Sequence, residues 1–336
     1  MKLNKLLALG VVLASGLTLT SCNKVESVEA GVGYSVSLKD TNGQADVTVA
    51  FAGFDAEGKI TAARLDVVQV TVAPDAEGAW THTGTKTNDN GIASKLELGK
   101  DYNMLGASPI GKEVDVQIEA FADWTVGKTV AEVKELTKDQ VYKQAPHADL
   151  ASTCTITVSA FVEALEKAYE LKNTAVEVSP KALAGVGITT KFAAKDTHGE
   201  LTVFTAGTLM DGETIQAAAI DEIVLRIEKV EDTYQFQADD YYYQNGKVVS
   251  KESLKDAYGM SKANPTKGEW YVQAAAIETY SIGKTAASLL AEVGENGKPV
   301  EGSGLIGATT MTANGYVAAI AEAASYASLE HVGPQA

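Results

Sequence analysis

The chain is 336 residues long, 45% hydrophobic and 21% charged, with 28 Lys and Arg against 44 Asp and Glu and a formal net charge of -16. That hydrophobic share excludes a disordered or collagen-like chain, and the length suits roughly two domains of 150 residues. The acidic balance argues against nucleic acid, whose phosphates require a basic footprint, and two cysteines make neither a disulfide scaffold nor a thiolate zinc site.

The first segment reads as a secretory leader: Lys2 and Lys5 precede the mostly apolar run Leu6 to Leu19, which is too short for a spanning helix. Leu19-Thr20-Ser21-Cys22 resembles the lipobox of bacterial lipoproteins. The resemblance implies cleavage before Cys22 and acylation of that residue, palmitate included, which would hold the chain on the extracytoplasmic face of the cell membrane. An ordinary signal peptide with an incidental cysteine is the alternative. The expected division is 1–21 leader, 22–30 lipidated linker, 31–171 first domain and 181–330 second domain, with the boundary near Lys172 to Pro180.

Self-comparison explains the length. Lys39-Asp40-Thr41-Asn42-Gly43 recurs as Lys195-Asp196-Thr197-His198-Gly199, and Val116-Gln117 as Val272-Gln273. Trp124-Thr125-Val126-Gly127-Lys128-Thr129 returns as Tyr280-Ser281-Ile282-Gly283-Lys284-Thr285, and Ser94-Lys95, Tyr102 and Met104 as Ser250-Lys251, Tyr258 and Met260. Collinear pairs at one long offset predict a tandem duplication of a whole domain.

Within each copy, Val47 to Phe51, Ile60 to Val72 and Asp115 to Ala120 alternate as strands do, with turn residues such as Asp55-Ala56-Glu57-Gly58 between runs. Ser94 to Met104 and Thr129 to Leu136 have helical spacing. An amphipathic helix ends each copy, marked by Ala160, Phe161, Ala164, Leu165 and Ala168, then by Tyr316, Val317, Ala319, Ile320 and Ala323. Glu292 to Gly304 reads as a loop. The expected fold class is α+β: duplicated domains, each with an antiparallel sheet and flanking helices.

A small hydroxylated loop precedes each terminal helix: Asp149-Leu150-Ala151-Ser152-Thr153-Cys154-Thr155, and Gly304-Leu305-Ile306-Gly307-Ala308-Thr309-Thr310. A loop entering a helix offers free N–H groups suited to a phosphate, although threonines such as Thr157 and Thr312 also serve as plain N-caps. These loops resemble the flavinylation motif of the FMN-binding domain family, in which Asp, two residues and Ser/Thr-Gly-Ala-Thr precede a helix. That family includes two-domain lipoproteins of Gram-positive extracellular electron transfer.

The resemblance implies covalent FMN, up to two per chain, attached through a phosphoester to Thr155 and to Thr309 or Thr310. Asp149 and Ser152 match the motif in the first loop, where Thr153 and Cys154 replace its Gly-Ala. Gly307 and Ala308 match in the second, with Thr309 following directly, while alignment of the two loops favours Thr310. An ApbE-type flavin transferase would make the bond. Electrons would come from a membrane quinol-linked dehydrogenase and pass to ferric iron or another external acceptor.

Lys95, Tyr102, Met104, Lys251, Tyr258 and Met260 are the expected walls of the flavin pockets, with core packing as the alternative. Cys154 reads as a small buried residue in place of the motif's Ala. Gly127-Lys128-Thr129 and Gly283-Lys284-Thr285 lack the upstream glycine of a phosphate-binding P-loop. The histidines have no ligand spacing, and no catalytic nucleophile-base pair is visible. Rival functions are a surface lipoprotein binding module or adhesin without flavin, and an extracellular flavin-dependent reductase.

Overall fold

The computed structural model describes residues 25–88, 91–140, 147–238, 240–263 and 265–328. Cys22 and its leader lie outside the described residues. The fold is mixed α+β, built from antiparallel sheets with helices against them.

The first sheet holds β1 (Glu26–Lys39), β2 (Gln44–Phe54), β3 (Ile60–Pro74) and β4 (Trp80–Thr83), followed in the chain by a small hairpin of β5 (Thr87–Asn88) and β6 (Gly91–Ile92). Turn chemistry sets its connections. Gly43 takes φ +72° between β1 and β2, a backbone shape that costs glycine no Cβ clash. Asp55 Oδ1 accepts the N–H groups of Glu57 and Lys59 at 3.0 and 2.7 Å, closing the turn from β2 to β3.

After the helices of the first half, β7 (Val176–Val178) joins the outer edge of β1, giving the sheet order β4-β3-β2-β1-β7. The expected boundary is thus a pinned connection. Asn173 also donates its N–H to Ala30 O at 2.8 Å and its side-chain amide to Ala218 O at 3.2 Å. The second sheet runs β11-β10-β9-β8, from β8 (Leu183–Ala194), β9 (Gly199–Asp211), β10 (Thr214–Val230) and β11 (Thr233–Phe236). A hairpin of β12 (Tyr243–Gln244) and β13 (Lys247–Val248) follows.

The first half carries α1 (Lys95–Leu98), α2 (Val114–Thr125), α3 (Val130–Thr137) and α4 (Ser159–Glu170). The second carries α5 (Lys251–Leu254), α6 (Met260–Ala263), α7 (Trp270–Ser281), α8 (Ala286–Leu290), α9 (Leu305–Ala308) and α10 (Asn314–Ser328). One expectation is corrected: Asp115 to Ala120 is not a strand but part of α2. The alternation of Val114, Val116 and Ile118 suggests a period of two, yet Val116 is exposed. The buried set Val114, Gln117, Ile118, Phe121, Ala122 and Thr125 follows the helical period.

Glycine lets the terminal helices sit directly on their sheets. A Cβ at Gly31 or Gly33 would fall 2.1 Å from Ala168 O or 2.2 Å from Ala164 O on α4. At Gly185 or Gly187 it would fall 1.8 Å from Ala323 O or 2.1 Å from Ala319 O on α10. The opposite faces of the two sheets meet. The Phe51 ring on β2 fills the space over Gly207 on β9, and Leu209 lies beside Gly53. One apolar cluster accordingly holds Phe51, Val68 and Val70 together with Val186, Leu201, Val203 and Leu225. Helix, sheet, sheet, helix is the order of layers. Among the described residues no helix is long and apolar enough to cross a membrane.

Candidate functional site

The loop ahead of α4 is anchored by a glutamine from α2. Gln117 Nε2 donates to Ser108 Oγ at 3.0 Å and to Lys112 O at 2.9 Å, which orients the amide oxygen toward the loop. That oxygen accepts the backbone N–H of Thr155 at 2.8 Å and its hydroxyl at 3.1 Å. Thr155 is buried, while Asp149 and Ser152 are exposed, Asp149 standing 3.4 Å from His147 Nδ1. Thr157 does not cap α4, whose first helical residue follows Val158 with no side-chain cap.

The second loop is held in the same way from α7. Gln273 Oε1 accepts the N–H of Thr310 at 2.8 Å and its hydroxyl at 3.1 Å. It also accepts the Thr309 hydroxyl at 3.1 Å, and Thr309 Oγ1 accepts the Met311 N–H at 2.9 Å. Thr309 is therefore buried and engaged on both sides, whereas Thr310 is exposed. Gly307 and Ala308 belong to the short helical turn α9, with Lys267 Nζ bonded to Gly307 O. Cys154 stands in the first loop one residue before its clamped threonine, as Thr309 does in the second. It is fully buried, and burial pushes its thiol up to about 11, so it is an inert packing group.

Of the predicted wall residues, the lysine and tyrosine of each half come together. Lys95 Nζ lies 5.0 Å from the Tyr102 ring centre and Lys251 Nζ 5.1 Å from that of Tyr258. The Met104 N–H donates to Glu113 at 2.8 Å and the Met260 N–H to Glu269 at 2.7 Å. Tyr102 and Met104 pack against the first core. Lys251, Tyr258 and Met260 line a cavity of about 700 Å³, together with Phe204, Trp270, Met311, Thr312 and Tyr316. Thr310 directly precedes two of those lining residues.

Short helices α1 and α5 are set in place by buried carboxylates on the sheets. Asp66 Oδ1 accepts Val67 and Leu96 N–H groups at 2.7 and 3.0 Å, and Asp221 Oδ1 accepts those of Glu222 and Glu252 at the same distances. Burial raises both carboxyls to about 7. Beside the cavity, Lys251 Nζ lies 2.6 Å from Glu222, the Tyr316 hydroxyl donates to Glu222, and Trp270 Nε1 donates to Tyr316 at 2.9 Å. Burial and the Glu222 carboxylate hold the Tyr316 phenol far above its ordinary range.

In the sequence Gln117 and Gln273 stand out only as repeated letters, and Glu222 and Trp270 carry no motif. A charged residue inside the apolar run of β10 is the one signal of Glu222. The Gly-Lys-Thr segments form turns: Gly127 and Gly283 take φ of +81° and +80°, and Thr129 and Thr285 cap α3 and α8. Among the described residues, no group of three His, Cys, Asp or Glu could hold a metal ion.

A chlorophenol reductase of Desulfitobacterium hafniense is 26% identical to this chain over 156 residues, covering 41% of this chain and 48% of the relative. The chain thus spans about half the length of that relative. No family model matches the chain, and no solved structure matches it.

Proposed function

We propose that the chain is a membrane-anchored, extracytoplasmic flavoprotein that carries electrons, with FMN ester-linked to Thr155 and Thr310. The observation that carries this reading is the repeated glutamine clamp: Gln117 on Thr155 and Gln273 on Thr310 use the same two contacts at 2.8 and 3.1 Å. Each clamp stands ahead of a terminal helix and leaves a hydroxyl of defined direction. Thr309, whose hydroxyl oxygen also accepts the Met311 N–H, is disfavoured as an acceptor.

The two halves are proposed to be copies of one FMN-binding domain. Support comes from the glycine-seated terminal helices and the Asp66 and Asp221 anchors at equivalent places. The reciprocal contacts of Phe51 with Gly207 and Leu209 with Gly53 add to it. The residues around the second cavity suit a flat ring: aromatic faces, two methionines and two lysines, in a space of the size common for cofactors. FMN would supply the redox chemistry, and the protein would fix it, shield it and set its potential.

In this reading Cys22 carries the lipid, an ApbE-type transferase attaches the flavin, a quinol-linked membrane dehydrogenase is the donor, and ferric iron or another external species is the acceptor. The reductase name of the partial relative accords with a redox role. Co-expression with a flavin transferase and intact-mass measurement is the test. One or two FMN adducts, lost stepwise in Thr155→Ala and Thr310→Ala, support the carrier. A chain that stays unmodified would instead indicate a binding module.

A further inference from the structure

We propose that the two sites differ in charge, and therefore in reduction potential, because Glu222 neutralises the site lysine in the second half and no described carboxylate pairs with that of the first. The inference rests on the flavin reading above. Lys95 and Lys251 occupy the first position of α1 and α5, each with its Nζ about 5 Å from a tyrosine ring, Tyr102 or Tyr258. The residue following the anchoring aspartate differs: Glu222 after Asp221, Val67 after Asp66.

Glu222 reaches Lys251 at 2.6 Å, and both groups are nearly buried, at 7% and 12% side-chain exposure. Its second oxygen takes the Tyr316 hydroxyl, which Trp270 supports. The first residue of α2 is Val114 where α7 begins with Trp270, and the third residue of α4 is Phe161 where α10 has Tyr316. Val67, Phe161 and Val114 thus stand where Glu222, Tyr316 and Trp270 form the polar network. Among the described residues, no carboxylate stands within ion-pair distance of Lys95, which is half-buried.

A ring gains negative charge when reduced, and a nearby uncompensated ammonium favours that form. A lysine paired at 2.6 Å with a carboxylate offers far less net field, and the other two charged residues lining that cavity, Lys191 and Glu295, are of opposite sign. The first site is therefore the more readily reduced of the two. Glu222 is a positioning and charge-setting residue here.

The experiment is a redox titration, followed by visible absorbance, of singly flavinylated protein: Thr310→Ala for the first site and Thr155→Ala for the second. The first site is expected to be reduced at least tenfold more favourably, ~30 mV for a two-electron couple. Glu222→Gln, which keeps the side chain's shape, should raise the second potential toward the first. Lys95→Gln should lower the first, and it keeps the test available should the Glu222 variant not fold. Equal potentials, or potentials that neither variant moves, would overturn the inference while leaving the carrier reading intact. Absence of any adduct by intact mass would overturn the carrier reading itself and this inference with it.

Discussion

Tyr34, on the first strand, receives the backbone N–H of Ser250 on its phenolic oxygen at 2.8 Å, joining residues 216 positions apart. The same hydroxyl lies 3.3 Å from Val248 O and from Ser253 Oγ, so one side chain of the first sheet ties down the start of α5. Tyr34→Phe would leave the buried Ser250 N–H without this acceptor, at a cost of about 1–3 kcal/mol. Chemical denaturation should show a single transition shifted to lower denaturant. Two separate transitions in the wild-type protein would contradict a core shared by the sheets.

Glycine at the helix seats leaves no room for a side chain. Gly185→Ala places a methyl 1.8 Å from Ala323 O, a backbone atom that can move only with α10. Overpacking of this kind costs about 1–3 kcal/mol or more, and the thermal midpoint should fall. Gly212→Ala, whose Cβ meets nothing within 4 Å but whose φ is +58°, serves as a control for backbone strain alone.

Accessibility orders the two threonines. Thr310 is exposed and Thr155 is 6% exposed, so under the flavin proposal a transferase should modify Thr310 first. A time course by intact mass and peptide mapping checks this, with Thr155 modification in the earliest samples as the contrary result. Gln273→Ala should slow modification at Thr310 severalfold by releasing the hydroxyl from its oriented bond, and Thr309→Val should not.

Buried carboxylates give stability a pH dependence of definite sign. Asp66 and Asp221 rise from an ordinary value of 3.8 to about 7 in the fold, and Glu278 from 4.5 to about 8, each because burial penalises the charged form. The native state then holds protons that the unfolded chain releases. Their stabilisation is complete below about pH 4 and is lost as pH rises through about 7 or 8. The double variant Asp66→Asn, Asp221→Asn keeps an acceptor for the backbone N–H groups and cannot ionise. Its midpoint should vary less between pH 5 and pH 8 than that of the wild type, and an unchanged slope would refute the assignment.

The strands and terminal helices are legible because local chemistry and tertiary packing agree. Asp55-Ala56-Glu57-Gly58 makes its own turn, and Ala164 and Ala168 fall on the face that meets glycine. Asp115 to Ala120 misleads because a short window of α2 imitates alternation until Phe121 and Ala122 are included. The threonine loops stand out in the sequence as small hydroxylated segments ahead of the terminal helices, but their clamps do not. Gln117 meets Thr155 and Gln273 meets Thr310 across 38 and 37 residues, and no local pattern encodes such a pairing. Glu222 and Trp270 escape notice for the same reason: only β10, α7 and α10 together bring them to one cavity.

The meeting of the two sheets has a consequence for stoichiometry. With Phe51 seated over Gly207 and Leu209 beside Gly53, each half supplies the apolar wall that shields the other from water. Neither half can be shed by proteolysis or truncation without exposing that wall to solvent. Packing thereby keeps the two clamped threonines, Thr155 and Thr310, together in one body.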